Sequence, residues 1–259
     1  MFRVVDRAGF LPDRIWVEED NAGYQPLDRA AEPRRWWQVA YANRVIVTQF
    51  DDGDTLWPTV GRRPTCSASM PSAVLGMLDV LGAQPGHRVL EIGTGTGYNA
   101  ALLARYLGDE QVSTIEVDPV LYELARANLA AAGYQPTVIC GDGAAGHPSS
   151  APFDRILATA TVRLGELPYA WVQQTAPGGQ TLVALAPYQR ATTRVMAARS
   201  PLPVLGQRRL QQPPRPLHRA PARPTPTVER SRSRLPLVAT RRPTQRASVG
   251  VPHHIRAAA

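Results

Sequence analysis

Residues 89–98 read Val-Leu-Glu-Ile-Gly-Thr-Gly-Thr-Gly-Tyr. A short apolar run ends in three glycines at alternate positions and passes into an apolar-periodic stretch from Tyr98 to Leu107. Strand, glycine turn, helix is the context in which such a loop carries meaning. Without Cβ atoms the backbone turns sharply and lets a ligand approach closely. The spacing G-x-G-x-G differs from the G-x-G-x-x-G that seats a dinucleotide pyrophosphate on a helix terminus. A nucleoside without phosphate needs close backbone approach more than a bound anion, and S-adenosylmethionine (AdoMet) is such a ligand.

Working outward, the same alternation repeats. Pro71 to Leu81 predicts a helix stopped by Gly82, and Arg88 to Ile92 a buried strand. Gln111 to Glu116 is a second strand, Pro119 to Ala132 a helix, Thr137 to Cys140 a third strand and Asp154 to Ala158 a fourth. Leu167 to Thr175 is helical, and Gln180 to Ala184 is a fifth strand after Pro177-Gly178-Gly179. Strands alternating with helices imply right-handed βαβ units and a parallel sheet covered on both faces. Two acids then fall at successive strand ends. Glu116 closes the second strand, where a carboxylate can accept both ribose hydroxyl protons. Asp142, in Gly141-Asp142-Gly143 after the third, can accept a hydrogen bond from the adenine amino group. The candidate cofactor-binding set is Glu91, Gly93, Thr94, Gly95, Thr96, Gly97, Glu116, Asp142 and Gly143.

The flanks differ in texture. Residues 1–63 hold four of the five tryptophans, with a helical stretch at Asp28 to Asn43 and a strand at Arg44 to Phe50, and read as a module on the substrate side. Residues 64–186 are the cofactor-binding domain. Residues 187–259 hold 12 of the 25 prolines and only 2 of the 20 glycines, a composition read as disordered. The charge divides at the same place. The body carries 14 arginines against 20 acids, net −6, and the tail 15 arginines against Glu229 alone, net +14. There is no lysine. An out-of-frame reading of a GC-rich gene, beginning near residues 184–190, is the alternative: it accounts for the missing lysine, the loss of acids and the Arg/Pro/Ala/Ser excess, though not for the low glycine. The fifth strand is expected to be left as an edge, because only Leu235 to Ala239 resembles a later strand and it contains Pro236.

The basic balance therefore excludes reading the whole chain as a nucleic-acid binder. Cys66 and Cys140 have no CxxC spacing and read as ordinary thiols, and no metal site is expected. Charges at positions 3, 6 and 7 interrupt any signal-peptide core, and the longest uncharged stretch, 167–189, contains three prolines. A cytoplasmic protein without a membrane partner is expected.

Gly-Thr-Gly-Thr-Gly-Tyr at 93–98, NAALLA at 99–104, GDG at 141–143, APFDRILATA at 151–160 and PGG at 177–179 resemble the protein-L-isoaspartate O-methyltransferases. Ser69-Met70-Pro71 matches their upstream Ser-x-Pro element, with Met77 at the matching distance. The resemblance spans about residues 60–183. It implies a Rossmann-like α/β AdoMet-dependent methyltransferase in which Gly93 to Gly97, Glu116 and Asp142 bind AdoMet. It also places Ser69 as the active-site serine beside the methyl acceptor. The N-terminal FLPDRIW, PLDRAAEPRRWW and VIVTQFDDGD resemble an actinobacterial branch that accompanies ATP-grasp enzymes in ribosomal-peptide maturation. There the implied acceptor is an aspartate of a modified peptide, whose methyl ester closes to a succinimide. The partner is thus a protein or peptide with an (iso)aspartyl carboxylate.

Carboxylate is ionised near neutral pH, so methyl transfer to it requires no strong general base, and neither His87 nor His147 is given a role. Ser69 would orient one carboxylate oxygen, and it also stands where it could cap the helix starting at Pro71. A reading from a different class remains beside this one: a methyltransferase-like protein without catalysis, whose arginines at 208–209, 230–234 and 241–242 bind RNA or an acidic partner.

Overall fold

The computed structural model describes residues 5–162, 166–185 and 194–199, all within one compact unit. Two sheets organise it. The first is antiparallel, with β1 (Arg14–Glu19), β2 (Gly23–Asp28), β3 (Ile46–Phe50) and β4 (Pro64–Ala68) in the order β2-β1-β3-β4. The helix α1 (Pro33–Tyr41) joins β2 to β3 and buries Trp36, Val39 and Ala40 against Ile15, Val17, Leu27 and Ile46. Pro26 and Pro64, which argue against strands in the sequence, fall on the two edge strands, where a missing N–H breaks no central ladder. The turn between β1 and β2 places Asn21 and Gly23 at positive φ. Because β4 pairs with β3, the N-terminal sheet extends to Ala68, past the boundary at 63/64 expected from composition.

The second sheet contains β5 (Val89–Ile92), β6 (Val112–Glu116), β7 (Thr137–Cys140), β8 (Phe153–Val162), β9 (Thr175–Leu185) and β10 (Arg194–Arg199) in the order β10-β9-β8-β5-β6-β7. All pairings except β10 with β9 are parallel. This is the Rossmann-like α/β arrangement expected from the sequence. Helices α2 (Pro71–Leu81), α3 (Tyr98–Leu107), α4 (Pro119–Ala131) and α5 (Tyr169–Gln174) accompany it. Alternate residues of the central strands serve two different cores, as the two-residue period of a strand requires. Leu90, Ile92 and Ile156 pack with Phe153 and Trp171, whereas Val89 and Leu157 pack with Leu81, Leu103, Leu107 and Leu182.

Helix limits follow local chemistry. Pro71 and Pro119 begin α2 and α4 at positions where no intrahelical N–H is required. Gly82 ends α2 in the left-handed region, and the Asp118 carboxylate caps α4 by accepting from the Val120 and Leu121 amides. Two strands run longer than predicted: β8 continues to Val162, and β9 begins at Thr175 with a register shift where Gly178 takes φ 79°.

The expected edge at the fifth strand is corrected. β10 pairs antiparallel with β9 from Arg194↔Leu185 to Arg199↔Gln180, so that strand has a neighbour on each side. The remainder of 187–259, with its readings as disordered or out of frame and its arginine clusters, lies outside the described residues. Among the described residues no helix is long and apolar enough to cross a membrane. No group of three metal-ligating side chains forms among them either.

Candidate active site

The chain passes from β5 to β6 and β7 on one side, then returns to place β8 on β5's other flank. The carboxyl end of β5 is therefore the switch point of the sheet, where ligands of such folds bind. The glycine loop occupies it. Gly93, Gly95 and Gly97 all take positive φ, at 95°, 56° and 95°. At Gly93 a Cβ would stand 3.0 Å from Thr159 Oγ1 and 3.1 Å from the Ala160 amide nitrogen of β8. At Gly97 it would meet Leu129 and the Ala125 carbonyl of α4 at 3.2 and 3.3 Å. Gly93 and Gly97 are thus required twice, by backbone conformation and by close approach of neighbouring elements, and Gly95 by its conformation.

Side chains fix the loop from several elements. Thr159 Oγ1 donates to the carbonyls of Ile92 (3.1 Å) and Gly93 (2.7 Å), and Asn128 Nδ2 of α4 donates to the Thr96 carbonyl (3.0 Å). Glu116, at the end of β6 and 1% exposed, accepts at Oε2 from the Gly95 amide (2.8 Å). Its Oε1 accepts from the amides of Val117 (2.9 Å) and Asp118 (3.1 Å). Burial raises its pKa against these three bonds.

Glu91 is fully buried in the middle of β5. Its Oε1 accepts from Asn99 Nδ2 (2.6 Å), its Oε2 from Thr114 Oγ1 (2.8 Å), and Thr114 Oγ1 shares a hydrogen bond with Thr94 Oγ1 (2.7 Å). Burial pushes its carboxyl up to about 7, the two hydrogen bonds opposing and the nearby Glu116 assisting.

One cavity brings together Glu91 and the loop as far as Thr96, while Gly97 and Glu116 do not line it. Its wall includes Glu91, Gly93 to Thr96 and Asn99 on the sheet side, and Cys66 to Ser69 from β4 and the corner that follows it. Ser69 therefore meets the glycine loop across the same space. Its capping reading is corrected: the N-cap of α2 is Met70, which makes no side-chain capping bond, and the free Ser72 amide of the first turn is met by Asn43 instead. Asp142 and Gly143 stand apart from this wall, beyond β7. Asp142 is exposed and accepts from the Ala144 amide (2.9 Å). Gly143 is buried, a Cβ there would overlap Ile92, and its carbonyl accepts from Trp171 Nε1 (2.7 Å).

Asn99, Thr114 and Thr159 were not singled out in the sequence. Asn99 carried a usable signal, lying two residues after the last loop glycine, and Thr159 another, as a polar residue at the carboxyl end of the strand beside the loop. Two buried atoms on residues of the cavity wall, Asn99 Oδ1 and Ser67 Oγ, have no hydrogen-bond partner in the protein. Unpaired polar atoms, a cradle that a Cβ would fill and an acid at the next strand end fit a nucleoside ligand carrying an amino-acid chain, as AdoMet does.

Comparison with known proteins agrees with this fold. The family model for protein-L-isoaspartate(D-aspartate) O-methyltransferase matches residues 36–202, beyond the point at which the charge changes sign. The protein-L-isoaspartate O-methyltransferase of Methanopyrus kandleri is 42% identical over 127 residues, covering 48% of this chain and 54% of that protein. Its counterpart in Thermotoga maritima is 33% identical over 143 residues, covering 54% and 42%. A solved protein-L-isoaspartate O-methyltransferase superposes with a TM-score of 0.53 at 30% identity, covering 64% of this chain and 49% of that one. The chain spans about half the length of the curated relatives it matches. It belongs to the protein-L-isoaspartate(D-aspartate) O-methyltransferase family.

Proposed function

We propose that the protein is an AdoMet-dependent carboxyl O-methyltransferase acting on an (iso)aspartyl side chain of a protein or modified ribosomal peptide. The observation that carries this reading is the single cavity shared by Ser69 and the glycine loop. AdoMet supplies an electrophilic methyl on a sulfonium. The loop from Gly93 to Gly97 would lie against its amino-acid and ribose portions, Glu116 would accept from ribose hydroxyls, and Asp142 would accept from the adenine amino group. Asn99 Oδ1, unpaired in the protein, offers a further acceptor.

The transfer is an in-line displacement. An acceptor carboxylate oxygen forms a bond to the methyl carbon, the carbon–sulfur bond breaks, and its electron pair stays on sulfur to leave a neutral thioether. The acceptor is already anionic, so the protein's work is orientation and exclusion of water. Ser69 donates to the carboxylate oxygen that does not attack, leaving the other aimed at the methyl. The ester product then has methoxide as a leaving group. The following peptide nitrogen attacks the ester carbonyl carbon, the carbon–methoxide bond breaks, the nitrogen's proton passes to methoxide so that methanol departs, and a succinimide closes.

The test is transfer of labelled methyl from AdoMet to an isoaspartyl peptide, with an aspartyl ribosomal peptide as a second acceptor. Expected is label that mild base releases as methanol. Label that survives mild base, or no transfer to either acceptor, overturns the reading.

A further inference from the structure

Arg7 lies in the 3-10 turn Arg7–Phe10, upstream of residues 36–202 matched by the family model. It is 4% exposed, and each of its hydrogen bonds goes to a main-chain carbonyl. Nη1 donates to Ala40 (2.8 Å) and Ala42 (3.3 Å). Nη2 donates to Arg44 (3.0 Å), Ala68 (3.2 Å) and Ser69 (3.1 Å). One planar fork thus ties two distant passes of the chain, the turn at 40–44 and the corner between β4 and α2. Only a guanidinium presents donors in that fixed arrangement. The same turn grips the corner a second time: Asn43 Oδ1 accepts from the Ser72 amide (2.9 Å) in the first turn of α2. Val5, just before the 3-10 turn, and Phe10, its last residue, pack with Val74 of α2 and Tyr98 and Ala101 of α3, which seats the segment on the helices framing the cavity.

A cation buried against carbonyl dipoles costs free energy, and burial lowers its pKa. What it secures is the backbone carrying Ser69. We propose that Arg7 is a positioning residue for the acceptor side of the cavity, fixing the Ser69 corner through the Ala68 and Ser69 carbonyls. Residues preceding the family match then help set how the acceptor is held. This rests on the reading of Ser69 given under Proposed function. The glycine loop is held by other residues, Glu116, Asn128 and Thr159, so disturbing the corner should reach the acceptor and spare the cofactor.

The test uses the full chain with Arg7→Lys, whose ammonium cannot span the carbonyls of both passes, and Asn43→Ala, an exposed position that removes only the tie to Ser72. Each is measured for KM with an isoaspartyl peptide, for kcat and for AdoMet Kd. The expected result is a KM raised at least fivefold in Arg7→Lys and about twofold in Asn43→Ala, with Kd unchanged within a factor of two. If Arg7→Lys does not fold, Arg7→Gln replaces it in the same measurement, and failure of both to fold overturns the proposal, since Arg7 then braces the whole fold. AdoMet affinity that falls in step with acceptor binding overturns the proposal, since Arg7 then braces the whole fold. Unchanged KM in both variants overturns it while the activity stands. A wild type that methylates no acceptor overturns the reading of Ser69 itself.

Discussion

Glu91→Gln separates the charge of a buried carboxyl from its shape. The wild-type carboxyl has a pKa of about 7 in the folded protein against an ordinary 4.5, and burial is the largest cause. That separation corresponds to about 3 kcal/mol at 25 °C. Its sign follows from proton linkage. The folded state holds the proton more tightly than the unfolded state, so the stabilisation is fully present below 4.5. It is lost as pH rises through about 7, and stability is level above that. The glutamine stays neutral at every pH. Its Oε1 can keep the bond from Asn99, while its amide can donate to Thr114 Oγ1, whose proton then turns to Thr94. That rearrangement costs about 1 kcal/mol and does not depend on pH.

The assay is urea unfolding of both proteins at pH values from about 5 to 8.5, without AdoMet. The quantity to read is the difference between the two stability curves. The variant should gain on the wild type progressively between about pH 5 and 8 and then run parallel. The full change approaches 3 kcal/mol, or roughly 5–10 °C in Tm for a protein of this size. Glu116 is also shifted upward by burial, but it is present in both proteins, and its own contribution therefore largely cancels. Curves that stay parallel over the whole range refute the reasoning, because Glu91 would then titrate alike in the folded and unfolded chain.

Two further outcomes follow from the loop. Gly97→Ala forces a side chain into φ 95° and to within 3.2 Å of Leu129, so it should destabilise the fold by about 2 kcal/mol. Unfolding midpoints check this, and an unaltered midpoint would show that α4 gives way freely. Glu116→Gln weakens the acceptor of the Gly95, Val117 and Asp118 amides and removes the charge proposed to meet the ribose, so AdoMet Kd should rise about tenfold or more. Calorimetric titration gives the value, and a Kd within a factor of two of wild type would remove Glu116 from the cofactor site.

The second sheet was legible because its signals are local. In α2, α4 and β7 the apolar period, a starting proline or a stopping glycine, and the length all agreed, and the predicted limits fall within a residue of those observed. The first sheet was less so. β2 contains Pro26 and β4 begins at Pro64, and both strands exist because pairing with β1 and β3 compensates for poor intrinsic propensity. β10 was hidden for a related reason. Met196, Ala197 and Ala198 stand in an arginine-rich composition, and it is the antiparallel ladder on β9 that makes the segment a strand.

The candidate site divides along the same line. The glycine loop and Glu116 could be found from the sequence, because strand, turn and helix announce the first, and the next strand's end locates the second. Glu91 could be named but not explained. A carboxylate in a four-residue strand covered on both faces needs partners, and no nearby residue reveals them. They come from register. Parallel pairing of β5 with β6 sets Glu91 opposite Thr114, which puts a hydroxyl beside the carboxylate, and the turn into α3 brings Asn99 to its other oxygen. Strand order and register are properties of the assembled sheet, so a residue's chemistry was readable where its partners lie in the same loop and unreadable where they lie on the neighbouring strand. Arg7 is the extreme case. Its five acceptors are carbonyls, which every residue possesses, and only the fold decides which of them converge on it.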